Sequence, residues 1–208
     1  MIGVWKRAYF SLFLLLMVGS VQGQHVETFQ KLSSSYTISY GDPRAPIHAI
    51  EYFSLSCPKC LGFLKREFYF VQKKYIDVGR VYWTFHPDPA DLLTLQAMIC
   101  CKDLSPKQKR YFLEEVVSNL HLQQIGKESF FLQELMEELG SPLPKLRDLQ
   151  WIEGTQAFQE AYSYISQQSV PTDLPSIEIN GILYEEFPNF FFLNRVFSSF
   201  NSNGGTQK

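Results

Sequence analysis

"EYFSLSCPKCLGF", residues 51–63, sets two cysteines three positions apart between two different local patterns. Residues 47–55 are rich in β-branched and aromatic side chains, which predicts a buried strand. Residues 57–75 carry apolar side chains at helical spacing, with a proline where the first turn of a helix tolerates one. The stretch therefore predicts a strand followed by a helix whose first turn contains Cys57 and Cys60.

The first turn of this predicted helix favours a reactive thiol. Backbone N–H groups at a helix N-terminus have no partners within the helix, and the helix dipole adds about half a positive charge there. The dipeptide between the cysteines, Pro58 and Lys59, adds a formal positive charge. We expect Cys57 to be the exposed thiol that exchanges with substrate thiols. Cys60, one turn further on, would release the mixed disulfide by closing the ring onto Cys57.

Two other interpretations compete with a redox pair. An inert structural disulfide is one, but so short a loop constrains the unfolded chain little. A zinc site shared with Cys100 and Cys101 is the other, and structural zinc sites usually have two spaced ligand pairs in a small loop-rich unit. Here the second pair is adjacent and lies in a segment with a helical pattern. The sequence favours a redox pair, and we expect no metal and no cofactor.

The amino terminus predicts export. Lys6 and Arg7 form a short basic start, residues 8–18 are mainly apolar, and residues 19–23 are mostly small or polar. The apolar part is about a dozen residues, whereas a membrane-spanning helix needs roughly 20, so a cleaved signal peptide over 1–23 is favoured over an uncleaved anchor. An exported chain meets oxidising conditions, in which a pair of cysteines forms disulfides.

Composition limits the classes of protein. The chain has 208 residues, of which 45% are hydrophobic and 15% aromatic, so disorder is excluded as its main state. After the predicted signal peptide, about 185 residues are enough for one domain, or for one domain with an insertion. The formal net charge is only −2 and no long basic run occurs, so no nucleic-acid partner is expected.

The remaining patterns predict the order β, β, α, β, a helical block, β, β, α. A polar segment over 24–35 precedes a first part over 36–89, and helical periodicity with breaks fills 90–165. Residues 174–186 predict a hairpin around Asn180 and Gly181, and 188–200 an amphipathic helix. The second part of the main domain therefore spans 166–200, followed by a flexible tail over 201–208.

That order, with a Cys-x-x-Cys pair at the start of the first helix, resembles the thioredoxin fold. "IEYFSLSCPKC" and the lead-in "GDPRAPI" resemble the DsbA-like thiol:disulfide oxidoreductases, and "LPSIEINGILY" is similar to that family's proline loop and following strand. The resemblance covers roughly residues 36–200. It implies an α/β thioredoxin fold, a central mixed sheet flanked by helices, with an inserted helical domain over 90–165.

The resemblance also implies roles for three further residues. Glu51 matches a glutamate that lies beneath the cysteine pair and helps to move protons to or from the buried thiol. The alternative interpretation, without a functional role, is that Glu51 occupies a solvent-facing strand position. Pro175 matches the cis proline that packs beside the cysteines, with Pro171 as its competitor. Leu174 would then offer its backbone to substrate, although family members often carry a β-branched residue there.

Cys100 and Cys101 leave three interpretations open. Neighbours in a helix point about 100° apart, so they would not face one another. They are expected to be buried small hydrophobes, or a second disulfide at a helix end or turn, or thiols that pair with another molecule.

These observations predict an exported, periplasmic protein-disulfide oxidoreductase that donates the Cys57–Cys60 disulfide to reduced or misoxidised exported proteins. The resemblance implies reoxidation by a membrane redox partner of DsbB-like type. A reductase or isomerase with the same site is the alternative within the enzyme class. Isomerases usually need a dimerisation segment, and residues 24–35 offer little room for one. A monomer is therefore expected. A non-catalytic, chaperone-like binding domain is the alternative from another class.

Overall fold

Five strands form one mixed sheet in the structure, a computed structural model that describes residues 35–119, 128–140, 154–167 and 171–202. The strands are β1 (Ile38–Tyr40), β2 (Ile47–Phe53), β3 (Val81–Pro87), β4 (Ser176–Ile179) and β5 (Ile182–Tyr184). The predicted signal peptide, nearly all of the segment 24–35 and most of the tail 201–208 lie outside the described residues.

The strand order is β1-β3-β2-β4-β5, which places β2 at the centre. β2 runs parallel to β3, with Glu51 opposite Phe85, and antiparallel to β4, with Glu51 opposite Ile177. β1 and β5 close the two edges in antiparallel pairs. A central strand that ends at Phe53 therefore delivers the loop 54–57 to the C-terminal end of the sheet.

Seven helices accompany the sheet within the described ranges. They are α1 (Pro58–Arg66), α2 (Phe68–Val71, continued by a π-helical turn over Gln72–Ile76), α3 (Leu92–Cys101), α4 (Pro106–Ser118), α5 (Glu128–Glu138), α6 (Gln156–Ser166) and α7 (Phe190–Ser202). Helices α3 to α6 fall between β3 and β4 in the chain. The predicted fold class, a thioredoxin fold with inserted helices, is confirmed. None of the described helices is both long and apolar enough to cross a membrane.

The predicted single helix over 57–75 was wrong, because the helix breaks at Glu67. There the backbone turns at φ −108°, and the Glu67 side chain accepts a hydrogen bond from the backbone N–H of Phe190 at 3.0 Å. The π-helical turn that follows ends with the N–H of Asp77 donating to the carbonyl of Gln72 at 2.8 Å, five residues earlier. A contact 123 residues away in the chain thus anchors the break, which local periodicity does not reveal.

One face of the sheet is buried across its three inner strands, β3, β2 and β4. Its side chains, all less than 3% exposed, are Ile47, Ala49, Glu51, Phe53, Val81, Trp83, Phe85, Ile177 and Ile179. Phe63 of α1 stacks on Trp83 at 5.8 Å between ring centroids, and Phe197 of α7 meets the same indole edge-on at 6.5 Å. Helices α1 and α7 therefore cover this face, with a single carboxyl group, that of Glu51, inside it.

The predicted hairpin is present between β4 and β5. Asn180 and Gly181 have φ values of 49° and 82°, the left-handed pair that a two-residue turn of type I′ requires. The Asn180 side chain also accepts a hydrogen bond from the backbone N–H of His48 at 2.8 Å. The turn is thereby tied to the start of β2.

Candidate active site

Cys57 is the N-cap residue of α1. Its backbone is extended, with φ −92° and ψ 112°, and its sulfur accepts a hydrogen bond from the backbone N–H of Cys60 at 3.4 Å. Its carbonyl accepts the first bond of the helix, from the N–H of Leu61, at 3.1 Å. The sulfur of Cys57 thus occupies the place where a serine or aspartate oxygen usually caps a helix. It accepts a backbone N–H that has no carbonyl partner within the helix.

The two cysteines differ sharply in exposure. Cys57 is half-buried, whereas Cys60 is fully buried, and Pro58 and Lys59 between them are exposed. Both thiols are free, so the structure represents the reduced pair. Burial, together with the interaction with Cys57, raises the pKa of the Cys60 thiol far above its ordinary value. The outer sulfur is accessible to a substrate, and the inner one strongly favours its protonated form.

Leu174 and Pro175 lie beside the outer cysteine. The peptide bond between them is cis. The thiol of Cys57 donates to the carbonyl oxygen of Leu174, with 3.6 Å between sulfur and oxygen, although the two residues are 117 positions apart. The structure therefore brings the backbone of Leu174 to the sulfur that the sequence assigns to substrate exchange.

Glu51 lies inside the sheet face that α1 covers. Its side chain is 0% exposed, so it is not a solvent-facing strand residue. Neither of its carboxyl oxygens has a hydrogen-bond partner among the described residues, and the same is true of Nε1 of Trp83 on the adjacent strand. A carboxyl group without hydrogen-bond partners is costly to bury in its charged form.

The electrostatics of Glu51 and the cysteine pair are coupled. Burial raises the pKa of Glu51 well above its ordinary 4.5, the indole of Trp83 acts in the opposite direction, and charge on Cys57 adds to the rise. Charge on Glu51 in turn contributes to the raised pKa of Cys60. Glu51 and Cys60 are therefore two fully buried groups that both favour their protonated forms.

Asp91 is a site residue that the sequence reasoning missed. It is the N-cap of α3, and its carboxylate also binds the loop before Cys57, with the Ser54 hydroxyl donating at 2.6 Å and the Ser56 hydroxyl at 2.9 Å. An aspartate followed by "LLT" at the start of a helical pattern signals a cap. No local pattern signals its second role, since the loop lies 35 residues away.

Cys100 and Cys101 end α3 inside the core. They are 2% and 0% exposed, and both thiols are free. Burial raises the pKa of each thiol to about 12. Within the described ranges, no group of three or more His, Cys, Asp or Glu side chains is arranged to hold a metal ion.

Comparison with known proteins supplies a family and several similar folds. A sequence profile described as Thioredoxin matches residues 33–189. By sequence, no curated protein matches the chain. Among solved structures, oxidised BdbD from Bacillus subtilis is 17% identical, with 81% of this chain and 93% of that chain covered and a TM-score of 0.61.

Two further solved structures are similar. The α-DsbA1 of Wolbachia pipientis is 21% identical, with 78% of this chain and 89% of that chain covered and a TM-score of 0.57. A protein-disulfide isomerase from Novosphingobium aromaticivorans is 14% identical, with 79% and 96% covered and a TM-score of 0.61. At these low identities the likeness concerns the fold, and for the fold the predicted resemblance is confirmed.

Proposed function

The chain belongs to the thioredoxin family, and we propose that it is an exported thiol:disulfide oxidoreductase that introduces disulfides into secreted or envelope proteins. The observation that carries this proposal is the position of the Cys57 sulfur. It caps α1, receives the N–H of Cys60 at 3.4 Å and lies 3.6 Å from the carbonyl oxygen of Leu174. A sulfur so placed is accessible, adjoins a second thiol and is stabilised as a leaving group.

The exchange proceeds in two steps. A substrate thiolate attacks the sulfur of Cys57 in the oxidised enzyme, a substrate–Cys57 disulfide forms, and Cys60 leaves and takes up a proton. A second substrate thiolate then attacks the substrate sulfur of the mixed disulfide, and Cys57 leaves as a thiolate. Two substrate thiols become one disulfide, while the enzyme disulfide takes up the two electrons and becomes two thiols.

Glu51 serves the first step as the group that moves the proton of Cys60. Cys60 is fully buried, so its thiolate is strongly disfavoured when the enzyme disulfide opens. Glu51 is equally buried and favours its protonated form. The backbone of Leu174, beside Cys57, offers hydrogen bonds to the main chain of a substrate that reaches the site.

Export and a redox cycle complete the proposal. The basic start at Lys6 and Arg7 and the apolar stretch 8–18 support secretion to a periplasmic space. After each turnover the reduced pair must pass two electrons to an oxidant. A membrane redox partner of DsbB-like type would accept them, and the clients would be reduced or misoxidised exported proteins.

Disulfide transfer to a reduced protein tests the function. The oxidised enzyme is mixed with an unfolded protein that carries two free cysteines, and substrate disulfide is quantified by mass spectrometry after acid quenching. We expect transfer of up to one disulfide per enzyme, abolished in Cys57→Ala. A non-catalytic binding domain would instead retain its activity, suppression of client aggregation, in the same variant and would transfer no disulfide.

An isomerase is the second candidate, because one of the similar structures is described as a protein-disulfide isomerase. The reduced enzyme is incubated with a protein that carries wrongly paired disulfides, and the native pairing is followed over time. Faster recovery of native pairs with the reduced enzyme than with the oxidised enzyme would favour the isomerase. The opposite order favours the disulfide donor.

A further inference from the structure

The loop that carries Cys57 is held by the first turn of α3. Ser54 and Ser56 donate their hydroxyl hydrogens to the two carboxylate oxygens of Asp91, at 2.6 Å and 2.9 Å. Between them, the backbone N–H of Leu55 donates to the hydroxyl oxygen of Thr94 at 2.7 Å. Three consecutive residues before Cys57 are therefore fixed to one helical turn of the inserted segment.

The carboxylate of Asp91 is saturated with donors. Besides the two serine hydroxyls, it accepts the backbone N–H of Ser56 at 3.2 Å, that of Leu93 at 3.1 Å, and the hydroxyl of Thr94. Burial alone would raise the pKa of Asp91, but these hydrogen bonds outweigh burial and hold that pKa below its ordinary value. Hydrogen bonds to an ionised acceptor are the strong ones, so the loop has little freedom to move.

The 54–56 loop in turn fixes the backbone conformation of Cys57, the N-cap residue of α1. The N–H of Cys57 donates to the carbonyl of Ser54 at 3.2 Å, and the side chain of Ser54 is bound to Asp91. The sulfur of Cys57 receives the N–H of Cys60 only while its backbone keeps the extended N-cap conformation. A path of hydrogen bonds thus runs from Asp91 through Ser54 to the reactive sulfur.

We propose that Asp91 is a positioning residue for Cys57, which holds the 54–56 loop so that the sulfur stays aligned with the amino terminus of α1. This inference rests on the proposed exchange at Cys57. It assigns to the inserted helices a direct part in the reactivity of the pair. An ordinary helix cap needs only the bond to Leu93, whereas four of the five donors to Asp91 come from Ser54, Ser56 and Thr94.

Asp91 could affect the reactivity of Cys57 through its charge or through the position in which it holds the loop, and the two effects have opposite directions. The carboxylate binds the residue next to Cys57, and its negative charge alone disfavours a thiolate there. If charge were its only effect, Asp91→Asn would make Cys57 more reactive. If it acts by position, the same substitution loosens the cap and makes Cys57 less reactive, because the sulfur loses the helix N-terminus.

The test is the pH profile of Cys57 alkylation in the reduced full chain, with iodoacetamide as the probe and the Cys57 adduct identified by mass spectrometry. In Asp91→Asn we expect a midpoint at higher pH and alkylation about three- to ten-fold slower at neutral pH. Two variants that change no charge, Ser54→Ala and Thr94→Val, should move the midpoint in the same direction. The charged or titratable groups on the described elements next to Cys57 are unchanged in these variants: Glu51 on β2, Lys59 and Cys60 on α1, and Asp173, which precedes Leu174 in the chain.

Asp88→Asn is the matched control, since it removes the same charge three residues away, where the side chain accepts the N–H of Ala90 and, among the described residues, makes no bond to the 54–56 loop. It should leave the midpoint unchanged. Faster alkylation of Asp91→Asn, or a melting temperature that falls while the midpoint stays, would overturn the positioning role. If Asp91→Asn does not fold, the two neutral variants decide by the same criterion. Alkylation needs no substrate protein, so a failure here is separate from a failure of disulfide transfer.

Discussion

Glu51 is the residue that most clearly departs from its surroundings. It occupies the middle of an apolar sheet face, opposite Phe85 on one side and Ile177 on the other. A carboxyl group there costs folding free energy whenever it ionises. Its proposed role is to move the proton of Cys60, a thiol that is just as deeply buried.

We expect the substitution Glu51→Gln to increase the free energy of unfolding by an amount that depends on pH. Because the native pKa is raised above 4.5, the unfolded chain loses its proton first as the pH rises. The free energy of unfolding then falls with pH until the native pKa is reached, and this decline is absent in Glu51→Gln. The variant should gain up to about 1.4 kcal/mol per pH unit over that window. Urea unfolding of the reduced protein at a series of pH values measures it.

The exposed glutamate at position 185 supplies the control for this experiment. Glu185→Gln should follow the wild-type pH dependence of stability. Equal free energies of unfolding for Glu51→Gln and wild type at every pH would mean that Glu51 ionises freely in the native state, and its role in proton transfer would lose its physical basis.

At this scale the sequence could identify Glu51 as unusual but could not place it. The flanking residues Ile50 and Tyr52 are as apolar as Ala49 and Phe53, so alternation along β2 does not reveal which face the carboxyl joins. Only the register with β3 and β4, and the helix above, show that it is enclosed.

At the scale of elements, α1 concentrates the chemistry in its first turn. The sequence could predict that turn, because a cysteine before proline at the start of a helical pattern is a local signal. The break at Glu67 could not be predicted in the same way, since its partner is the backbone of Phe190. Likewise, Asp91 is a recognisable cap for α3, but its bonds to Ser54 and Ser56 depend on how two distant segments pack.

Charge reversal at Lys59 should weaken the enzyme as a disulfide donor. Lys59 is exposed beside Cys57, and a glutamate there opposes the thiolate that the helix N-terminus favours. In Lys59→Glu we expect the glutathione equilibrium to move toward the oxidised enzyme by about three- to ten-fold.

Lys65→Glu is the matched control, because Lys65 is equally exposed but lies in the last turn of the same helix. It should leave the redox equilibrium near that of wild type and lower stability slightly, since a negative charge is unfavourable at a helix C-terminus. Equal redox shifts in both variants would mean that net charge, and not the site of the charge, sets the equilibrium.

At the scale of the whole molecule, the fold gathers the site from three distant parts of the chain. Cys57 follows β2, Leu174 precedes β4, and Asp91 begins the inserted helices. The order of elements was predictable because each strand and helix has its own pattern. The contact between Cys57 and Leu174 followed only from the family resemblance, since nothing local links residues 117 positions apart.

Cys100 and Cys101 should be inert in the folded protein. Both are buried and their thiols favour the protonated form, so a chromogenic thiol reagent should find no fast-reacting thiol in the native, oxidised enzyme. Denaturation of the same sample should expose two thiols. No thiol after denaturation would mean that Cys100 and Cys101 are themselves disulfide-bonded, and rapid reaction in the native state would contradict their burial.

The most direct measurement is the equilibrium of Cys57–Cys60 with a series of glutathione redox buffers, made on the protein with Cys100 and Cys101 replaced by alanine. A disulfide donor whose reduced form is stabilised at the helix N-terminus should have a potential between about −180 and −120 mV. A potential below about −270 mV would mean that the pair holds its disulfide or reduces others. That result would contradict the proposed direction of exchange.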